Sequence, residues 1–146
     1  SLYFLQADCA VKTEDWVKLF GSYLHNGVYP AGTVRSNSVI IKAALARGLK
    51  ASRIDVKDVN SKAGFLKKVA DGLEFPDYFG MNWDALADCL GQTCATTAGG
   101  RVIIFTGFGR FVDRCAGESR VAEKIFARAA GSWKEENSRF YIILGA

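Results

Sequence analysis

The chain has few of the residues that build disulfide frameworks and metal sites. It contains four cysteines and one histidine in 146 residues. Zinc sites need four nitrogen or sulfur ligands at short paired spacings, but the closest cysteines, Cys89 and Cys94, are five positions apart and the only histidine is His25. The sequence therefore predicts four reduced, structurally passive thiols and no metal or other cofactor.

Long apolar runs and disorder-promoting segments are also absent. No apolar run approaches the ~18 residues that suggest a membrane-spanning helix, and the first residues lack the basic and apolar regions of a signal peptide. Only two residues are proline, 23% are charged and 49% are hydrophobic. This composition is typical of a folded, soluble domain with one core. Because the thiols are expected to be reduced, a cytoplasmic location is also expected.

Motifs of the common catalytic classes do not occur. The chain has no Walker loop, no G-x-S-x-G and no H-E-x-x-H. Gly107 and Gly109 follow an apolar run but lack the third glycine of a dinucleotide-binding fingerprint. The sequence therefore does not predict an enzyme.

The positive net charge does not indicate nucleic-acid binding in this chain. A net charge of +4 would ordinarily suggest it. However, residues 1–51 hold six Lys or Arg against three Asp or Glu, and residues 52–146 hold thirteen against twelve. Since no basic cluster stands out in either part, direct nucleic-acid binding is not expected.

Capping residues and apolar spacing predict an α/β fold for residues 52–146. Strands are predicted at Arg53–Val56, Val102–Phe105 and Phe140–Leu144. Four helices are predicted, from Ser61, from Asn82 through Leu90, near Phe108–Cys115 and at about Gly117–Trp133. The first is expected to turn Phe65, Leu66, Val69 and Leu73 inward. The last is expected to turn Val121, Ile125, Phe126 and Ala129 inward. This order of elements is typical of a small parallel sheet with right-handed crossovers.

Residues 1–51 are predicted to form an N-terminal extension packed on that core domain. They contain a short β-like run at Leu2–Gln6, a helix from Thr13 with Trp16, Val17, Phe20 and Leu24 on one face, a loop at 26–36, and a helix from Ser38 that ends near Gly48.

One stretch of the chain carries charge of a single sign. From Val69 to Gly100 there is no Lys or Arg, and all five charged residues are acidic, namely Asp71, Glu74, Asp77, Asp84 and Asp88. Charge of one sign gathered in one place speeds the encounter with a partner of the opposite sign. The stretch therefore predicts a surface for a basic partner.

Asp84 and Asp88 are four positions apart, so their side chains share one face of the predicted helix. Like charges at this spacing mildly destabilise a helix, and residues that break a local rule often belong to a functional site. A structural interpretation also remains open, in which Asp84 serves the helix dipole and Asp88 is a solvated surface residue. Acid–base catalysis by the pair would require a substrate cleft, which the sequence does not indicate.

The segment FPDYFGMNWDALADCL, from Phe75 to Leu90, closely resembles the signature of the barstar family of ribonuclease inhibitors. An R-I-D strand and a helix before it, an apolar strand after it and a closing F-x-I-I-L strand extend the resemblance over residues 52–146. The resemblance implies a barstar-like fold with three parallel strands. It also implies that a helix and its preceding loop enter the active site of a basic ribonuclease, where acidic side chains take the positions of substrate phosphates.

Carried over residue by residue, the resemblance implies a partner-binding set of loop aromatics, turn residues and helix residues. This set comprises Tyr78, Phe79, Gly80, Asn82, Trp83, Asp84, Ala87 and Asp88. Two positions depart from the first member of the family, which has an aromatic residue in place of Ala87 and an acidic residue in place of Arg128.

Two functions are compatible with these observations. The first is an immunity protein, monomeric when free, that inhibits a basic ribonuclease or ribonuclease-like toxin domain. The second is a binding module of the same fold for another basic protein.

Overall fold

The computed structural model describes residues 13–30, 37–76, 79–96 and 99–145. Seven helices are labelled α1 to α7 and four strands β1 to β4 in chain order. They are α1 (Thr13–Leu19), a 3-10 helix (Tyr23–His25), labelled α2, β1 (Gly27–Pro30), α3 (Asn37–Ala46), β2 (Lys50–Asp55), α4 (Lys62–Gly72), α5 (Trp83–Thr96), β3 (Arg101–Thr106), α6 (Phe108–Arg114), α7 (Ala116–Glu135) and β4 (Phe140–Leu144). No described helix is long and apolar enough to cross a membrane.

All four strands form one parallel sheet in the order β1–β4–β3–β2. The central strands β3 and β4 are buried over nearly their whole length. This burial explains their uninterrupted apolar sequences, because helices cover both faces of the sheet. The mixed α/β class with a parallel sheet is confirmed.

The expected number of strands was wrong, because the sheet has four and not three. Gly27 to Pro30, predicted as part of a loop, pair in parallel with β4, from Gly27 opposite Tyr141 to Pro30 opposite Leu144. Glycine and proline ordinarily interrupt a strand. Here β1 lies at the edge of the sheet, where proline is tolerated because one side of the strand needs no backbone partner.

One face of the sheet carries an aromatic core beneath α4, α5, α6 and α7. Phe65 of α4 lies at its centre and stacks on Phe111 with ring centroids 4.6 Å apart. It also contacts Phe105 of β3 at 5.8 Å. Ser61 accepts a hydrogen bond from the Gly64 N–H at 3.0 Å and thereby caps α4 as predicted. This core also includes Leu86 and Leu90, and it thereby supports α5.

The opposite face of the sheet is covered by α1 and α3. Trp16, Phe20 and Ile40 are fully buried there against Tyr141 of β4. Residues 13–30 and 37–46 thus supply a strand and a second core layer. The division into an extension of residues 1–51 and a domain of residues 52–146 stays a prediction, although β2 runs across that boundary.

Two predicted inward positions are wrong. Leu24 is 63% exposed because α1 ends at Leu19, and Val121 is 36% exposed. The inner face of α7 includes Phe126 and Ala129, as predicted, together with Ala122 and Trp133. The β-like run at Leu2–Gln6 lies outside the described residues.

Candidate functional site

The acidic helix α5 begins at a side-chain cap. Asn82 Oδ1 accepts a hydrogen bond from the Ala85 N–H at 2.7 Å, and Asn82 Nδ2 donates to the Gly80 carbonyl at 3.2 Å. The first bond satisfies a backbone donor in the first turn, and the second holds the preceding turn against the helix. The predicted N-cap is confirmed, and the helix continues to Thr96 rather than ending at Leu90.

One face of α5 is anchored in the protein core. Leu86 and Leu90 are buried, and Cys89 is 6% exposed. The indole N–H of Trp133 on α7 donates to the Leu90 carbonyl at 2.9 Å in the interior. A buried hydrogen bond of this kind fixes α5 against α7, so the helix presents its other face in a defined orientation.

The other face of α5, here called the acidic face, carries the carboxylates of Asp84 and Asp88. Asp84, Ala87 and Asp88 are all exposed, and Asp84 lies in the first turn, where the positive end of the helix dipole favours a negative charge. Among the described residues, neither carboxylate lies within 4.0 Å of a cationic nitrogen, since the one such pair is Lys57 with Asp55. Both acids are therefore available for charge-assisted hydrogen bonds to another molecule.

The charge of Asp88 acts on its neighbour in the helix. Burial, and secondarily the negative charge of Asp88, raise the pKa of the Cys89 thiol. Cys89 is therefore held in its protonated, weakly reactive form. Cys89 and Cys115 are free thiols, as predicted, whereas Cys9 and the Cys94 side chain lie outside the described part of the chain.

The described part of the loop before α5 contains half-buried aromatic residues. Phe79 is half-buried, packs on the aromatic core and lies 5.1 Å from Phe75 between ring centroids. Gly80 is exposed. Tyr78, the second predicted loop aromatic, lies outside the described residues. The loop thus rests on the core through Phe75 and Phe79.

Trp83 is likewise half-buried at the start of α5. Its ring lies 6.0 Å from Phe65 between centroids, and the Lys62 ammonium sits 5.8 Å from the ring centroid. These contacts attach the first turn of α5 to α4 through aromatic packing and a cation–π interaction. Its membership of the partner-binding set stays a prediction.

Other charged residues lie on elements before and beside α5. Asp71 at the end of α4 and Glu74 in the following turn are exposed, but Asp71 shares a surface depression with Lys67 and Lys68, and the negative charge of Glu74 acts on Arg101. Arg128 is exposed on α7, the helix that packs against α5. Helix α7 therefore carries a cation at the position where the resemblance placed an acid.

One residue of this region had no signal in the sequence analysis. Met81, between Gly80 and the Asn82 cap, is 42% exposed and has a φ of 53°. A left-handed backbone at a non-glycine residue is uncommon. Only the structure shows this conformation, because methionine has no preference for it that a sequence pattern could display.

A comparison with protein families supplies independent evidence. Residues 49–145, which include all of β2 to β4 and the acidic helix, match the family described as Barstar (barnase inhibitor). A search of curated proteins found no match. Together with the parallel sheet and the capped acidic helix, the match over most of the chain shows that this protein belongs to the barstar family.

Proposed function

We propose that the chain is a cytoplasmic protein inhibitor, or immunity protein, of a basic ribonuclease or ribonuclease-like toxin domain. The observation that carries the proposal is the pair of exposed carboxylates on α5, Asp84 and Asp88, which have no cationic partner within 4.0 Å among the described residues. The family description, which names a barnase inhibitor, supports the same function.

The proposed mode of action is occlusion without any chemical step. Ribonucleases hold the phosphates of RNA with Arg, Lys and His side chains, and a carboxylate can accept the same charge-assisted hydrogen bonds. Asp84 and Asp88 would occupy such phosphate positions while α5 excludes RNA from the cleft. On this account the chain is not an enzyme, and it does not bind nucleic acid itself.

The rigidity of α5 supports this role. The Asn82 cap and the bond between the Trp133 indole and the Leu90 carbonyl hold the helix at both its start and its middle. A binding surface that is already ordered loses little conformational entropy on association. The exposed acids can therefore bind as a preformed pair.

The test is a titration of the purified chain into barnase with an RNA substrate. We expect stoichiometric loss of RNA cleavage, and we expect the double variant Asp84→Asn/Asp88→Asn to lose most of the inhibition. Asp113→Asn is the matched control, because Asp113 is an exposed carboxylate on a different helix, α6. Uninhibited cleavage at excess wild-type chain would contradict the proposal for this class of ribonuclease. Binding of a basic protein without ribonuclease activity through Asp88 would support the binding-module alternative.

A further inference from the structure

An exposed apolar side chain lies just before the start of α5. Met81 is 42% exposed, whereas the other described large apolar residues near the start of the helix are half-buried or buried, namely Phe75, Phe79, Trp83 and Leu86. Met81 immediately precedes the capping residue of α5, and Asp84 lies in the first turn of that helix. Met81 and Asp84 are thus three positions apart at one end of the helix.

The backbone of Met81 is held in a conformation that methionine rarely adopts. Three non-glycine residues of the described part of the chain have positive φ, namely Glu74, Met81 and Asn137, and Met81 is the apolar one. The Asn82 side chain donates to the Gly80 carbonyl, just before Met81, and accepts from the Ala85 N–H in the first turn of α5. The cap therefore fixes Met81 in place although glycine would suit its φ of 53° better.

Strain and apolar exposure at the same residue are each unfavourable for the free protein. Strained backbone persists where the surrounding structure over-determines it, and such residues cluster at binding sites. A partly exposed methionine gains from burial only if a second molecule covers it. Both observations point to a contact made when the acidic face is occupied.

We propose that Met81 is an apolar anchor for the same partner, which rests on the proposed function. The partner would be a basic ribonuclease that carries an apolar depression beside its cationic cleft. An apolar contact next to charged pairs excludes water from them, as in interface hot spots. Methionine suits this role because its unbranched thioether adapts to irregular cavities.

The anchor would also select among basic ribonucleases. A ribonuclease with a charged or polar rim at this position would have to desolvate that rim against the Met81 side chain without a hydrogen bond in return. Asp84 and Asp88 attract any cationic cleft, whereas Met81 would distinguish one cleft from another. Specificity and attraction would thus come from adjacent residues.

The experiment uses the full chain with barnase as the probe and compares two variants of one residue. Met81→Gln keeps the length and the backbone strain but removes the apolar end, and we expect about tenfold weaker binding. Met81→Gly removes the side chain and relieves the strain. We expect a similar loss of affinity from it, together with urea stability at least equal to that of the wild type. Asn137→Gly is the control, with the same backbone change after the end of α7 and unchanged affinity.

Two outcomes would overturn the assignment of Met81 while the proposed function stands. One is wild-type affinity of Met81→Gln when Asp88→Asn has lost binding. The other is a loss of stability in Met81→Gly as large as its loss of binding, which would indicate a structural role. If the wild-type chain fails to inhibit barnase at all, the proposed function fails for this ribonuclease class and the anchor fails with it.

Discussion

Replacing Asp88 by asparagine should separate binding from stability. Asp88 is exposed and has no cationic nitrogen within 4.0 Å among the described residues. Its removal also relieves a like-charge pair with Asp84 at a spacing that costs about 0.2–0.5 kcal/mol in a helix. We therefore expect the free energy of unfolding of Asp88→Asn to differ from the wild type by less than about 0.5 kcal/mol.

The expected effect on binding is much larger. A unit charge pair at about 4 Å and an effective dielectric constant near 20 interacts by about 4 kcal/mol before desolvation. Removing one member of such a pair in an interface costs about 2–5 kcal/mol, or roughly 30-fold to several-thousand-fold in affinity. This range of about 2–5 kcal/mol rests in part on the barnase–barstar pair, so it is taken from the family and not from this structure.

Asp84→Asn should behave differently from Asp88→Asn in the free protein. Asp84 lies in the first turn of α5, so loss of its charge should cost about 0.3–1 kcal/mol of stability through the helix dipole, offset in part by relief of the same like-charge pair with Asp88. Its loss in binding should resemble that of Asp88→Asn. The two variants thus distinguish a carboxylate with both a structural and a binding role from one with a binding role alone.

The assay combines calorimetric titration against barnase with urea melts of each variant. Asp113→Asn changes the net charge by the same amount, and we expect less than about a threefold change in affinity because separated surface charges are screened. Wild-type affinity of Asp88→Asn would refute the reasoning. So would an equal loss in Asp113→Asn, because the effect would then come from net charge and not from the acidic face.

Further predictions concern the support and surroundings of the helix. Trp133→Phe should destabilise the fold by about 2 kcal/mol in urea melts, because it removes the buried donor to Leu90 and leaves a small cavity. Phe79→Ala should lower stability by about 1–3 kcal/mol as well as affinity, unlike the acidic variants. Arg128→Glu should keep the fold and preserve or raise affinity for barnase in the calorimetric titration. The free energy of unfolding should fall as pH rises above the ordinary thiol pKa, because the unfolded chain releases the Cys89 proton first. Urea melts at pH 7 and 10 should show a smaller fall in Cys89→Ala.

Helices with a capping residue and regular apolar spacing could be predicted from the sequence alone. Ser61 and Asn82 cap their helices as expected, because a side-chain oxygen before a helical segment satisfies backbone donors in almost any context. Strand β1 was not predictable in this way. Gly27 and Pro30 are interruption signals locally, and only pairing with β4, more than a hundred residues later in the chain, makes them part of the sheet.

The inner face of α7 shows why apolar size is an imperfect guide to burial. The large residue Val121 was expected inward but is 36% exposed, whereas Ser119 and Ala122 are nearly or fully buried. Small side chains let a helix approach its neighbours closely, so they occupy the tightest part of the interface. A prediction that favours large apolar side chains therefore places Val121 on the inner face and overlooks Ser119 and Ala122.

For the candidate site, the sequence predicted the exposed acidic residues but not the exposure of the aromatic residues. Asp84 and Asp88 share one exposed face because helical periodicity is a local property. Phe79 and Trp83 are half-buried against the core formed around Phe65, so their exposure depends on tertiary packing. The resemblance to the family supplied their positions in the chain but could not supply how much of each ring remains accessible.

On the proposed function, the distribution of charge along the chain would give the acidic face a second role in recognition. The whole chain has a net charge of +4, yet no Lys or Arg occurs from Val69 to Gly100. A basic partner would therefore be attracted when it approaches the acidic face, and it would be attracted less or repelled when it approaches the rest of the chain. Like-charge repulsion disfavours wrong orientations, and complementary charge speeds the right one. A basic chain can thus bind a basic protein specifically, provided that the cations stay away from the helix that makes contact.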